Sequence, residues 1–168
     1  FKYKLEIINE SQQRRYRQNF NRNLFDVIET EEDAYWLGFI LADGYINENR
    51  GFLNLKLGAI DKRHLVKFCN YAQCEENIIK EEIGGVGNII YSLTLNSKNI
   101  IQNLQKYGLF QAKSEKEIPY YNINDNLKSH YIRGIIDGDG WILKNLKGFG
   151  VVGSYDVCKY ILDDLDIS

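Results

Sequence analysis

This chain has little that kinks, crosslinks or coordinates. Its 168 residues include one proline, Pro119, no methionine, three cysteines and two histidines. Cys69, Cys74 and Cys158 form no CxxC pair, and two histidines are too few to complete a zinc site with them. A reducing cytoplasm is the simplest compartment for such a chain. No apolar run approaches the 18 or so residues that a membrane span requires. No secretory leader is visible, and an opening Phe rather than Met marks the chain as a fragment of something longer. A dominant charge sign is also missing. Twenty-one basic residues face 23 acidic ones, for a net charge of −2 and a pI near 5.8, which excludes a generic basic coat for nucleic acid.

The charge is nevertheless uneven. Residues 1–24 carry Lys2, Lys4, Arg14, Arg15, Arg17 and Arg22 against Glu6 and Glu10, so the acidic excess belongs to the remainder. This opening stretch reads equally well as a solvated helix or tail and as an arm that contacts phosphates. Beyond it, a hydrophobic content of 44% is enough for a core, and one phrase occurs twice. Trp36-Leu37-Gly38-Phe39-Ile40-Leu41-Ala42-Asp43-Gly44 is matched by Ile132-Arg133-Gly134-Ile135-Ile136-Asp137-Gly138-Asp139-Gly140. Gly38 with Ala42, and Gly134 with Gly138, place small residues one helical turn apart, so two helices can pack backbone to backbone there. A glycine after the last turn is a common helix stop. The aspartates are unfavourable at a helix C-terminus, which already carries partial negative charge. Packing the helices side by side would crowd two carboxylates, and a divalent cation between them would reverse the penalty.

The doubled phrase resembles the LAGLIDADG homing endonucleases in their single-chain, two-motif form. Gly38, Ala42, Asp43 and Gly44, and likewise Gly134, Gly138, Asp139 and Gly140, fall on that family's third, seventh, eighth and ninth motif positions. Leu41 departs from its acidic sixth position, which Asp137 keeps. The resemblance implies an α+β fold of pseudo-symmetric αββαββα repeats with antiparallel, saddle-shaped sheets. It implies Asp43 and Asp139 as catalytic metal ligands, the carbonyls of Ala42 and Gly138 as further ligands, and Mg²⁺ or Mn²⁺ as cofactor. The implied activity is site-specific double-strand cleavage of a long DNA target in intron homing by a mobile genetic element. The alternatives are an inactive DNA-binding regulator or an intron RNA maturase. Bacterial or phage origin, double-stranded DNA as partner, a monomer at full length and self-association of a truncated chain complete that expectation.

The residues organise accordingly. Residues 1–24 form an arm, 25–122 a first repeat and 123–168 a partial second one. Thr30-Glu31-Glu32-Asp33 is a capping box that starts a helix to about Ala42, and Asn124 to Asn126 precede a helix over Leu127 to Asp137. At the 96-residue offset between Asp43 and Asp139, Phe52 to Ala59 pairs with Phe149 to Gly153 as strands. Asp61 and Ser154 then cap helices to Tyr71 and Leu165. Ile78 to Ile83 and Ile89 to Leu95 form a hairpin about Gly84-Gly85-Val86-Gly87-Asn88, followed by a helix from Ser97 to Tyr107. The first repeat is therefore αββαββα and the second αββα.

Along the strands, Leu53, Leu55 and Leu57 should pack inward, with Phe52, Asn54, Lys56, Gly58, Asn88, Ser92 and Thr94 outward. Alternation alone favours a solvated face. The resemblance makes Asn54, Lys56, Asn88, Ser92, Thr94, Lys144, Arg14, Arg15 and Arg17 DNA-contacting residues, and such side chains can read base edges. Lys116, in Lys116-Glu117-Ile118-Pro119 and 23 residues before Asp139, matches a family lysine that reaches the active centre, with Lys113 as the runner-up. Without the resemblance it is equally a surface lysine. Asp137 reads as a solvated partner of Arg133 at i−4. His64 and His130 read as surface or capping residues, and Tyr35, Trp36, Tyr45 and Trp141 as core or interface aromatics.

Overall fold

The structure, a computed structural model, describes residues 19–85, 87–111, 123–145 and 147–164. The first helix among the described residues, α1, spans Glu31–Asp43 and begins at the expected capping box. The Thr30 side chain accepts from the Asp33 N–H at 3.1 Å, and the Asp33 carboxylate accepts from the Thr30 N–H at 2.9 Å. From Ala34 through Leu41 every residue of α1 is buried, so this helix runs through the core rather than along its surface.

β1 (Gly44–Asn47) and β2 (Phe52–Gly58) follow, then α2 (Lys62–Tyr71), β3 (Lys80–Ile83), β4 (Ile89–Asn96) and α3 (Lys98–Lys106). The four strands form one antiparallel sheet in the order β1-β2-β4-β3, with Leu53 opposite Leu95 and Leu55 opposite Leu93. All four leucines are fully buried and face the helices, as their alternation requires. The β3–β4 turn closes with the Gly84 N–H donating to the Asn88 carbonyl at 2.8 Å, and Gly87 takes φ +78°, the left-handed region that glycine enters without strain. Ser97 caps α3, its hydroxyl accepting from the Ile100 N–H. Asp61 makes no side-chain cap on α2, contrary to expectation, because a 3₁₀ turn over Ala59–Asp61 leads directly into the helix.

The second half repeats the pattern in shorter form: α4 (Lys128–Asp139), β5 (Gly140–Ile142), β6 (Phe149–Val151) and α5 (Tyr155–Asp164). Its two strands pair antiparallel as a separate ribbon, and Ser154 caps α5 by accepting from the Val157 N–H. The α+β class and the order of elements therefore follow the sequence pattern. Phe20 and Leu24, on the arm side of residue 25, are buried, and the Asn103 side chain reaches the Leu24 carbonyl at 3.0 Å.

Several expectations need correction. Cys69 and Cys74 are joined as a disulfide across the end of α2, with Cα atoms 5.1 Å apart, so the cysteines do not by themselves indicate a reducing compartment. Cys158 is free. Trp36 is buried but Tyr45 and Trp141 are about half exposed, because they sit at strand positions facing away from the helices. No helix among the described residues is long and apolar enough to cross a membrane.

Candidate cation and phosphate site

Helices α1 and α4 lie parallel with their small residues in direct contact. A Cβ on Gly38 would stand 2.0 Å from the Tyr131 carbonyl oxygen, and one on Gly134 would stand 2.0 Å from the Tyr35 carbonyl oxygen. The contact is reciprocal at the 96-residue offset, as the doubled phrase predicts. One turn further on, a Cβ on Gly138 would meet the Ala42 Cβ at 2.4 Å and Asp43 Oδ2 at 3.5 Å. The expected interface residues Gly38, Ala42, Gly134 and Gly138 thus all lie in the seam.

Both helices end at their aspartate. The following glycines, Gly44 and Gly140, have extended backbone (φ −74° and −84°) rather than the left-handed geometry of the usual glycine stop. They are required for a different reason. A Cβ there would stand 2.5 Å and 2.2 Å from the carbonyl oxygens of Ile40 and Ile136, so only glycine lets the strand leave the helix at that angle.

At this end of the seam the Asp43 carboxylate lies beside Gly138, in a space that any side chain at position 138 would fill. Carboxylate and carbonyl oxygens are hard ligands of the kind Mg²⁺ and Mn²⁺ take. Among the described residues no three His, Cys, Asp or Glu cluster as a ready metal cage. A cation at Asp43 and Asp139 would therefore complete its shell with backbone oxygens, water and ligand.

Asp43 also opens onto the polar face of the four-stranded sheet. A groove of about 450 Å³ is lined by Asp43, Tyr45, Phe52, Asn54, Lys56, Glu82 and Thr94. The expected contact residues of this face are not equally available. Asn54 is 8% exposed and its amide donates to the Leu93 carbonyl and the Thr94 hydroxyl; Ser92 is 3% exposed and donates to Glu82. Both were expected to face outward, and neighbouring strands cover them. Lys56 forms an ion pair with Glu82 at 2.6 Å. The lysine and the Ser92 hydroxyl hold the Glu82 carboxyl below the usual carboxylate range. Asn88 and Lys144 are exposed at the hairpin turns of their respective halves. Lys116, Lys113, Arg14, Arg15 and Arg17 lie outside the described residues.

Asp137 does not form the local pair with Arg133. It accepts instead from the Tyr35 hydroxyl at 2.9 Å, across the helix seam. The Tyr35 oxygen also meets His64 Nε2 at 3.0 Å, and the Arg133 guanidinium lies 4.9 Å from the Tyr35 ring centre. Burial, reinforced by the hydrogen bond to Asp137, raises the Tyr35 hydroxyl well above its ordinary pKa. His64 is packed between the rings of Trp36 and Phe39 rather than at the surface. Burial lowers its pKa, the Lys67 charge adds to that, and Asp137 and Asp61 oppose it. His130 approaches Glu31 at 3.5 Å, and its Nδ1 is buried without a hydrogen-bond partner. Nothing in the spacing of Tyr35, His64 and Asp137 signals their meeting, since the three lie on separate helices.

No family model matches the chain. A glutamine–fructose-6-phosphate aminotransferase (isomerizing) of Methanocaldococcus jannaschii is 32% identical to it over 151 residues, covering 81% of this chain and 13% of the relative. The relative's name is that of an aminotransferase and not of a homing endonuclease. On these findings the LAGLIDADG identification is withdrawn, together with site-specific double-strand cleavage, intron homing, and the regulator and maturase alternatives. The α+β architecture stands without it, and this chain spans about an eighth of the length of the enzyme it resembles.

Proposed function

We propose that the chain binds a phosphate-bearing ligand through a divalent cation. Asp43 and Asp139, with the carbonyls of Ala42 and Gly138, would hold Mg²⁺ or Mn²⁺, and double-stranded DNA is the ligand that the adjoining surface fits. The observation that carries this reading is the opening of Asp43 from the helix seam onto the polar sheet groove. A cation at that mouth would offset the two carboxylates and supply the positive charge a phosphate needs, while the sheet's polar side chains flank it. Lys56, Asn54 and Thr94 line the groove, Ser92 holds the Glu82 carboxylate that lines it, and Asn88 and Lys144 lie exposed at the turns of their halves. Lys116 and the arm residues Arg14, Arg15 and Arg17 would add phosphate contacts, which make nucleic-acid binding salt-dependent. No cleavage reaction is part of this proposal.

The relative's name favours a second reading, in which the ligand is a sugar phosphate and the segment contributes to an enzyme acting on it. A phosphate monoester could use the same cation, so the test must separate the two. Mn²⁺ is titrated into the chain and into Asp43→Asn/Asp139→Asn, followed by duplex DNA or fructose 6-phosphate. Cation binding lost in the double variant, with DNA affinity that depends on the cation, supports the first reading. Cation-dependent binding of fructose 6-phosphate alone supports the second. Cation binding unchanged by the double substitution overturns both.

A further inference from the structure

On the flank of the helix seam, away from the sheet, α1, α2 and α4 enclose a second groove of about 570 Å³. Its charged side chains divide into two sets. The three acids are already engaged: Asp137 accepts from Tyr35, Glu32 accepts from the Trp36 indole N–H at 3.4 Å, and Glu31 faces His130. Among the described residues neither Lys67 on α2 nor Arg133 on α4 has a carboxylate partner, although both line the groove. Asn70, one turn beyond Lys67, also lines it and makes no side-chain hydrogen bond to a described residue.

His64 contributes a further polar atom. The Tyr35 hydroxyl has one proton and gives it to Asp137, so its contact with His64 places a proton on Nε2 and leaves Nδ1 as an acceptor. No described residue bonds that nitrogen. The network therefore fixes one histidine tautomer at the wall of a groove whose two cations have no carboxylate partner among the described residues.

We infer that this groove is a ligand site for a small organic oxyanion of single negative charge, whose head group sits between Lys67 and Arg133. The planar guanidinium and the ammonium recognise carboxylate or phosphate oxygens by charge-assisted hydrogen bonds, and the Asn70 amide adds a neutral donor. The rest of the ligand lies along Tyr35 and Trp36. The three lining carboxylates set the charge limit. They outnumber the two cations, so a dianion meets more repulsion than a monoanion of the same size. The site is separate from Asp43, which does not line this groove.

The test is a titration of the chain with benzoate, phenyl phosphate and the neutral isostere benzamide, followed by the amide shifts of residues 64–70 and 133–137. Saturable shifts with benzoate, weaker ones with dianionic phenyl phosphate at pH 8 and none with benzamide are expected. Lys67→Gln and Arg133→Gln should each weaken benzoate binding about tenfold, with the thermal midpoint nearly unchanged. If phenyl phosphate binds more tightly than benzoate, the groove is a phosphate site and the single-charge limit fails. Equal shifts with benzamide, no saturable shift with any probe, or full affinity in both variants overturns the inference.

Discussion

The backbone of Gly38 rests on the carbonyl of Tyr131, closely enough that a methyl group on Gly38 would fall 2.0 Å from its oxygen. That oxygen belongs to a helix backbone and cannot move aside as a flexible side chain would. Gly38→Ala, or Gly134→Ala in the mirrored contact, should destabilise the fold by about 3 kcal/mol, although alanine is the better helix former. A Cβ on Gly58 would meet nothing within 4 Å, so Gly58→Ala is the control and should stay within about 0.5 kcal/mol. Urea denaturation of the three variants checks this. Unchanged stability in Gly38→Ala would mean that the helices do not pack this closely.

The capping box predicts a particular acid sensitivity. Burial opposes ionisation of Asp33, but hydrogen bonds from Thr30, Tyr71 and the Thr30 and Glu29 N–H groups outweigh it, so its folded pKa lies below the usual 3.8. A carboxyl depressed on folding adds stability that is complete above its unfolded pKa and is lost as pH falls through the folded one. Asp33→Asn should therefore be less stable than wild type at neutral pH, and the gap should close below about pH 3.8. Thr30→Ala, which removes the other half of the box, should cost about 1 kcal/mol. Unfolding free energies measured from pH 7 to pH 2.5 give the comparison.

His64 acts in a higher pH window. Its folded pKa is lowered, so the unfolded chain takes up the proton first, and stability declines as pH drops below the usual value of 6.5. The decline should level off once pH passes the folded pKa. His64→Gln should flatten this part of the profile between pH 8 and pH 5. Tyr35→Phe, which removes the hydroxyl shared by His64 and Asp137, should lower stability by about 1 kcal/mol.

Asn103 is 2% exposed, and its amide holds the Leu24 carbonyl. Asn103→Leu leaves that carbonyl unsatisfied and should cost about 2 kcal/mol. Hydrogen exchange should rise selectively over residues 20–28, the segment the amide ties to α3. Uniform loss of protection across the chain would argue against this local role.

Removing the cation gives a prediction from the proposed site. At a hundredfold excess over Kd, Mn²⁺ should add about 2.7 kcal/mol to the unfolding free energy, and EDTA should remove it. Asp43→Asn/Asp139→Asn should show no response to either addition in a thermal melt.

The sequence made the framework readable because its signals were periodic. Leu53, Leu55, Leu93 and Leu95 alternate as strand residues and are buried as such, and the doubled Gly-xxx-small spacing located the helix seam. What stayed hidden depends on tertiary neighbours. Asp137 had an obvious local partner in Arg133, yet the helix crossing presents Tyr35 instead. Asn54 and Ser92 occupy outward positions on their strands, but β1 and β3 bring side chains over them and bury their polar atoms. Gly44 and Gly140 were expected as helix stops, and their actual constraint is contact with the preceding turn. The family resemblance rested on the same short phrases that define the seam, and neither comparison extends it beyond them.

The seam also acts as a ruler. Each carboxylate is placed by counting residues from the contact at Gly38 or Gly134, five positions along its helix. An inserted residue anywhere in those intervals would rotate the aspartate by about 100° around the helix axis. It would then leave its place at the end of the seam, with the side chains beyond it out of register. Drift in these stretches can proceed by substitution at the exposed positions, but a change of length in one helix breaks the reciprocal contact for both.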